Sequence, residues 1–396
     1  MSIQWAKRLA HVQSSITLKL SARANQLKAQ GKPIINLTVG EPDQDTWLSI
    51  KEAACVAIAD GFTKYTAVDG IVSLKQAIIQ KFIRDNQLHY ALDQIMVSNG
   101  AKQCIYNVMQ ALLNPGDEVI IPAPFWTSYP DMVLLAEAKP VIVSAQKEQY
   151  FKLTAEQLQK AITNKTRLLI LNSPSNPTGM VYSRRELMAF ADVLLQYPEL
   201  IILNDDIYEH IYWGKEPFAN IVQVCPALYE RSVVINGVSK AYAMTGWRVG
   251  FAAGPKELIA AMTTIQSQST SSVNSIAQMA AYAALTGDQT PLSEIKELYL
   301  RRHTIFYEGL NRITGIHCLP ACGAFYCFAQ VQEIMDKAGF TSDADFAEYL
   351  LEHAQVACVP GSAFGAPGYV RFSFAVDETL LQHALDAITS TLVSLT

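Results

Sequence analysis

Lys240 and Arg248 are two cations in one glycine-flanked turn, and they are the strongest indication of chemistry in this chain. Residues 236–248 follow the apolar run Val233–Ile235 and contain small side chains around the lysine. A lone lysine is usually a solvated surface charge. Beside a second cation, however, the charged form of an amine is disfavoured. Because a neutral lysine can form a Schiff base with a carbonyl compound, the turn indicates a reactive amine at Lys240.

A second group of candidates lies at the start of a predicted helix. Gly100, Ala101 and Lys102 follow the apolar run Ile95–Ser98. Free backbone N–H groups in a glycine turn at a helix N-terminus form an anion site. An ordinary strand-to-helix turn has the same appearance, so this turn by itself leaves both interpretations open.

Three further strand ends carry side chains that suit a flat ligand. Trp126 follows a proline-rich turn, Asn176 lies in the turn Ser173–Gly179, and Asp205 and Tyr208 follow one apolar strand. Each side chain also has a structural interpretation, as a core ring, a turn residue, a helix N-cap or a packed phenol. Open α/β sheets bind ligands beyond the carboxyl ends of their strands. A planar pyridine phosphate attached to a lysine would use all of these groups together.

The elements that must position these residues form an alternating pattern. Stretches of helical periodicity separate short apolar runs, which predicts βαβ units and a mostly parallel sheet. The predicted strands of this part are Ile34–Leu37, Ile95–Ser98, Glu118–Ile121, Pro140–Val143, Leu168–Asn172, Leu200–Asn204, Ser232–Asn236 and Val249–Ala252.

The pattern changes after about Gly287. A long charged helix, Ser293–Ile313, is followed by the strand candidates His317–Leu319, Ala324–Ala329 and Tyr369–Phe374. We therefore predict an α/β protein with two domains. Residues 49–287 form the large domain, residues 288–396 form a smaller α+β domain, and residues 1–48 join the small domain.

Composition excludes several classes of protein. The chain has 396 residues, of which 50% are hydrophobic and 17% charged, and its net charge is −5. A chain of this length usually needs more than one hydrophobic core. The negative net charge does not indicate a basic surface for nucleic acid. No apolar stretch suits a membrane span or signal peptide. Cys318, Cys322 and Cys327 lack metal-ligand spacing. We expect a cytoplasmic enzyme without a metal, whose partners are small molecules or a second copy.

Here the chain resembles the fold-type I, class I/II aminotransferases that use pyridoxal 5′-phosphate, and most closely the bacterial aspartate aminotransferase subgroup. The resemblance extends from Arg8 to Arg371 and is most specific around Lys240. It implies a large domain with a seven-stranded, mostly parallel sheet between helices. It also implies ping-pong transfer of an amino group from an L-amino acid to 2-oxoglutarate.

The resemblance assigns a role to each candidate. Lys240 is expected to bind the cofactor and to carry the proton during catalysis, while Asp205 pairs with the pyridine nitrogen. Tyr208 and Asn176 are expected at the phenolic oxygen of the cofactor, and Trp126 stacks on its ring. The expected phosphate contacts are Gly100, Ala101, Lys102, Ser239 and Arg248.

Substrate and partner contacts follow from the same resemblance. Arg371 looks like the arginine that binds the substrate carboxylate, which the planar guanidinium fits bidentately. Gly40 looks like a backbone contact to that carboxylate. Tyr65 resembles the tyrosine that reaches the phosphate of a neighbouring subunit, which implies a homodimer with shared active sites. Gly237 stands where many relatives have a phosphate-binding serine, a departure shared with the aspartate aminotransferase subgroup.

The choice of substrate is less constrained. Lys102, Ser15 and Thr17 match positions that the subgroup associates with an acidic side chain, so aspartate is the leading donor. Relatives often have Lys-Pro where this chain has Gln13-Ser14, which leaves aromatic, prephenate-type or broader specificity open. A lyase or synthase that uses the same cofactor is a further alternative. A transcriptional regulator is disfavoured because no basic helix-turn-helix segment precedes Asn36.

Overall fold

A seven-stranded sheet is the largest element of the computed structural model, which describes residues 3–12, 16–393 and 395. Its strand order is β2-β8-β7-β6-β5-β3-β4. Strand β8 is antiparallel to β2 and β7, and all the other pairs are parallel. The strands of this sheet are β2 (Ile95–Ser98), β3 (Glu118–Ala123), β4 (Lys139–Ser144), β5 (Thr166–Asn172), β6 (Ile201–Asp205), β7 (Ser232–Gly237) and β8 (Gly250–Ala253).

Helices cover both faces of this sheet. Alternate residues of one strand enter different hydrophobic clusters: Leu169 and Leu171 belong to one cluster, whereas Leu168 and Ile170 belong to another. Because successive side chains of a strand point to opposite faces, a strand covered on both sides is a continuous apolar run. This is why the central strands could be recognised from the sequence.

Fourteen α-helices are present among the described residues. They are α1 (Ile16–Ala29), α2 (Leu48–Ala59), α3 (Val72–Lys81), α4 (Ala101–Leu112), α5 (Ser128–Leu135), α6 (Ala155–Ala161), α7 (Arg184–Leu194), α8 (Ile221–Val224), α9 (Lys256–Ser267), α10 (Ser275–Thr286), α11 (Thr290–Asn311), α12 (Gln332–Ala338), α13 (Asp343–Tyr349) and α14 (Glu378–Val393).

A second, antiparallel sheet belongs to the C-terminal part of the chain. Its order is β12-β13-β10-β9, and a separate parallel pair joins β1 to β11. A hydrophobic cluster around this sheet draws on residues from 295 to 392 together with Leu37, Tyr208 and Ile211. The domain limits at residues 48 and 287 stay a prediction. The strands are β1 (Ile35–Asn36), β9 (His317–Cys318), β10 (Tyr326–Gln330), β11 (Val356–Ala357), β12 (Val359–Pro360) and β13 (Tyr369–Ser373).

The α/β fold with a mostly parallel sheet is confirmed, and the predicted strands recur with small changes at their ends. Strand β8 begins at Gly250 rather than Val249 because Arg248 has a left-handed backbone, with φ of 58°. Strand β10 begins at Tyr326 rather than Ala324, whose φ of 57° likewise interrupts extended structure. Left-handed conformations of this kind end a regular strand.

Candidate active site

A cavity of about 530 Å³ lies at the carboxyl edge of the large sheet. Strands β2, β3, β5, β6 and β7 all run towards this edge, and the antiparallel β8 starts from it. The structure therefore brings most of the predicted site together. The predicted residues that line the cavity are Gly40, Ala101, Lys102, Trp126, Asn176, Asp205, Tyr208, Ser239, Lys240, Arg248 and Arg371.

Lys240 is one of two lysines that line this cavity. Its Nζ donates a hydrogen bond to the carbonyl oxygen of Gly40 over 2.6 Å. Burial lowers the pKa of Lys240 to about 8; Arg248 and Arg371 act in the same direction, against the attraction of Glu41 and Asp205. Desolvation and neighbouring cations both favour the neutral amine. The sequence prediction of a reactive lysine is consistent with this environment.

A corner suited to an anion forms where Arg248 meets the turn before α4. Arg248 donates from Nη1 to the carbonyl oxygen of Thr245 over 2.9 Å and from Nη2 to that of Asn99 over 3.3 Å. Gly100 has a φ of 87°, and a Cβ atom there would collide with the guanidinium. The glycine therefore lets the arginine reach the N-terminus of α4, where free N–H groups attract an anion.

Asp205 is the carboxylate of the cavity. It is buried at the end of β6, and Tyr129 donates a hydrogen bond to its Oδ2 over 2.6 Å. Burial raises the pKa of Asp205 to about 6, although the hydroxyl of Tyr129, the backbone of Ile207 and the charge of Lys240 oppose this effect. A carboxylate so desolvated is stabilised by a cation that binds beside it.

Tyr208 and Tyr326 meet through their hydroxyl groups. The two oxygens are 2.7 Å apart, and both side chains are buried. Burial raises the pKa of Tyr208 well above its ordinary value, and the bond to Tyr326 adds to the rise. Both phenols are therefore neutral hydrogen-bonding groups at physiological pH.

Arg371 is a buried guanidinium with no carboxylate partner among the described residues. It donates to Asn176 Oδ1 over 2.8 Å and to the carbonyl oxygen of Thr38 over 2.6 Å, while its buried Nε atom has no hydrogen-bond partner. The guanidinium carbon also lies 4.3 Å from the ring centroid of Tyr326. A buried charge without a counter-ion is strongly unfavourable. Arg371 is thus arranged to receive an anion.

Trp126 and Lys102 close another side of the cavity. The ammonium of Lys102 lies 4.9 Å from the ring centroid of Trp126. Burial lowers the pKa of Lys102, and the charge of Arg248 adds to the effect. The cavity therefore combines four cations (Lys102, Lys240, Arg248 and Arg371) with the carboxylate of Asp205. Such a lining favours a ligand with several negative charges and one positive centre.

Among the described residues, two predicted site residues, Gly100 and Tyr65, do not line the cavity. Gly100 lies beside it, against Arg248. The side chain of Tyr65 is 96% exposed on the surface of this chain. Ser15 lies outside the described residues, as does the side chain of Thr17.

Sequence reasoning missed two tyrosines and an asparagine. Tyr129 stands three residues after Trp126, a spacing that places both on one side of a helical turn. Asn172 binds the carbonyl oxygen of Asp205 through Nδ2 and receives the N–H of Asn176 on Oδ1. Tyr326 gave no usable signal because its position depends on the pairing of β10 with β13, which no local pattern reveals.

The sequence predicts no metal site, and two groups of possible metal ligands bear on this prediction. All seven cysteines are free, and Cys318 and Cys327 are buried while Cys322 is partly exposed. Asp85, Glu209 and His210 are close enough to hold an ion, but the ammonium of Lys81 already pairs with Glu209.

Known proteins resemble this chain over nearly its full length. The family described as aminotransferase class I and II matches residues 32–388. An aspartate/prephenate aminotransferase of Nitrosomonas europaea is 52% identical over 98% of this chain and 99% of its own. An aspartate aminotransferase of Rhizobium meliloti strain 1021 is 49% identical over 97% of this chain and 95% of its own.

Solved structures agree with these relatives. The crystal structure of an aspartate aminotransferase from Rhizobium meliloti has a TM-score of 0.96 and 48% identity, and it covers 100% of both chains. The aspartate aminotransferase of Thermus thermophilus with maleate has a TM-score of 0.93 and 39% identity, with 98% of this chain and 100% of that chain covered. Within the described residues, none of the helices has the length and apolar character needed to cross a membrane.

Proposed function

The chain belongs to the class I and II aminotransferases, and we propose that it transfers the amino group of L-aspartate to 2-oxoglutarate with pyridoxal 5′-phosphate as cofactor. One observation carries the proposal. The weakly basic amine of Lys240 faces a cavity that also contains a desolvated carboxylate, Asp205, and an unpaired guanidinium, Arg371.

The donor groups of the cavity fit this cofactor. Pyridoxal phosphate, when bound, supplies an aldehyde that condenses with amines and a ring that takes up electrons. Arg248 and the N-terminus of α4 suit its phosphate. Burial raises the pKa of Asp205 to about 6, so a protonated ring nitrogen beside it would stabilise its ionised form. The buried hydroxyl of Tyr208 is available to its phenolic oxygen, together with Asn176.

Lys240 is the group that holds and moves the proton at the reacting carbon. With a pKa of about 8, roughly a tenth of the amine is neutral at pH 7, about 300-fold more than for an ordinary lysine. The carbonyl oxygen of Gly40 accepts a hydrogen bond from the amine of Lys240 and so orients it. A general base functions best when its pKa lies near the working pH.

A dicarboxylate is the substrate that the charges favour. Arg371 is placed to bind the α-carboxylate in a bidentate manner, and Lys102 remains for a second acidic group. The Rhizobium relative is named an aspartate aminotransferase, and the Thermus relative was solved with maleate, a dicarboxylate. Ser15 and Thr17 stay predictions for the acidic side chain.

Prephenate is the second candidate acceptor. The Nitrosomonas relative, which is 52% identical, is named an aspartate/prephenate aminotransferase. A cavity of about 530 Å³ has room for a ring, and prephenate carries two carboxylates like the smaller substrates. We therefore include prephenate as an alternative for the second half-reaction.

We further propose a cytoplasmic homodimer. The segment around α2 exposes apolar side chains: Leu48 is 67% exposed, Val56 58% and Tyr65 96%. Exposed apolar patches of this kind mark protein interfaces. Sedimentation of the purified protein tests the dimer, and replacement of Val56 with aspartate should yield monomers that bind the cofactor less tightly if Tyr65 reaches the neighbouring site.

The direct test records the absorption spectrum of the cofactor-loaded protein while amino acids are added one at a time. Aspartate should change the spectrum of the wild type, and 2-oxoglutarate should restore it. Lys240→Ala should not complete this cycle. A spectrum that aspartate leaves unchanged would reject the leading substrate. Release of ammonia from aspartate over many turnovers without any oxo acid would indicate a lyase instead.

A further inference from the structure

A buried ionic cluster lies behind the cavity residues and is separate from the cavity lining. Lys81, the last residue of α3, pairs with Glu209, and their side chains are 2% and 4% exposed. The ammonium of Lys81 also donates to Asn86 Oδ1 over 2.7 Å, and Asn86 Nδ2 donates to Glu209 Oε2 over 2.7 Å. Each of the three side chains is therefore held by the other two.

The carboxylate of Glu209 connects two strand-end turns. Asn236 Nδ2 donates to Glu209 Oε1 over 2.8 Å, and Asn236 Oδ1 accepts the backbone N–H of Gly237 over 2.7 Å. Glu209 directly follows Tyr208, whereas Asn236 lies four residues before Lys240. One side chain thus joins the backbone of the Tyr208 turn to the backbone that leads to Lys240.

Stability alone does not account for this pair. Removing two charges from water costs several kcal/mol per ion, and a well-packed apolar pair is often as stable. Burial acts to raise the pKa of Glu209, but the charges of Lys81 and His210, with the hydrogen bonds from Asn86 and Lys81, together outweigh burial and hold that pKa below its ordinary value. The carboxylate therefore stays charged and serves as a strong acceptor for its donors.

We propose that Glu209 is a positioning residue, which holds the Tyr208 turn and the Lys240 turn at a fixed separation, and that Lys81 is the counter-ion that makes this possible. The two turns carry groups that must act on one ligand at the same time. A small displacement of either would misalign the amine with the phenol. This inference rests on the proposed function only for its catalytic consequence, because the link between the turns is independent of any ligand.

The test compares Lys81→Met and Glu209→Gln with a matched control, Lys75→Met. Lys75 lies on the same helix, α3, and its buried side chain, 8% exposed, pairs with Asp69. The first measurement is hydrogen exchange of residues 237–241 in the cofactor-free protein. Loss of a hydrogen bond to a charged group should speed exchange of the turn about 10- to 100-fold in Lys81→Met and Glu209→Gln. Lys75→Met should match the wild type.

The second measurement is the pH midpoint of the absorption change in the cofactor-loaded proteins, together with kcat and KM. We expect the midpoint to move and kcat to fall about tenfold in the two cluster variants, with KM nearly unchanged because Arg371 is untouched. Equal exchange rates in Lys81→Met, Glu209→Gln and Lys75→Met would overturn the proposed link. A wild-type protein without a lysine-dependent spectrum would instead refute the proposed function, whatever the exchange rates.

Discussion

Replacement of Tyr129 with phenylalanine should make Asp205 a weaker acid. The hydroxyl of Tyr129 is 2.6 Å from Asp205 Oδ2 and is the strongest single group that opposes the effect of burial on this carboxyl. A hydrogen bond to a charged group contributes about 1.5–3 kcal/mol, and 1.36 kcal/mol corresponds to a tenfold change in acid dissociation. The pKa of Asp205, about 6 in the cofactor-free protein, should therefore rise to about 7–8 in the variant.

The sign of this shift has a consequence for the cofactor. A pKa that burial raises from 3.8 to about 6 means that ionised Asp205 is disfavoured by about 3 kcal/mol in the cofactor-free protein at neutral pH. This penalty is absent below pH 3.8, develops as the pH rises from 3.8 to about 6 and is complete above that pH. A cationic ring nitrogen beside Asp205 would recover part of it, so affinity for the cofactor should fall when the carboxyl is protonated.

The assay is the dissociation constant of pyridoxal phosphate, measured by fluorescence from pH 5 to pH 9. The acid limb of its pH dependence should move upward by more than one pH unit in Tyr129→Phe. Tyr299→Phe is the matched control, because this buried tyrosine donates to Gln44 over 3.0 Å and does not line the cavity. An acid limb that stays in place in Tyr129→Phe, or moves equally in Tyr299→Phe, would refute the reasoning.

Three other substitutions test separate parts of the structure. Arg371→Lys should lower kcat/KM for aspartate about 10- to 100-fold, since a bidentate contact is lost, while cofactor affinity measured by titration stays within about twofold. Tyr326→Phe keeps the ring under Arg371 but removes the partner of the Tyr208 hydroxyl, so steady-state kinetics should show kcat about 3- to 10-fold lower; an unchanged kcat would exclude this role. Burial lowers the pKa of His303 from 6.5 to about 4, so the protein should lose stability as the pH falls from 6.5 towards 4, and the effect is absent above that window. Urea unfolding at pH 7 and pH 5 should show that the wild type loses about 2 kcal/mol relative to His303→Gln over this interval, since the other titrating groups, Asp205 among them, contribute to both proteins.

The sequence by itself determined the large sheet and the polar residues that follow the ends of its strands. The central strands are buried on both faces, so runs such as Leu168–Asn172 are continuously apolar and could be recognised without the structure. Parallel strands end at one edge, so the polar residues that follow them were expected to meet there. Lys240, Asp205, Tyr208 and Asn176 are in this group, and all of them line the cavity.

The family resemblance pointed to Arg371 and Gly40, but only the tertiary structure decided how groups from other parts of the chain reach the cavity. Arg371 and Tyr326 come from the second sheet, and Gly40 comes from a loop near the N-terminus. Their approach depends on contacts between residues that are 118 to 333 positions apart. The protonation of the site was decided in the same way. The residue types name a lysine and an aspartate, but burial and the surrounding charges, which place their pKa values at about 8 and about 6, exist only in the folded chain.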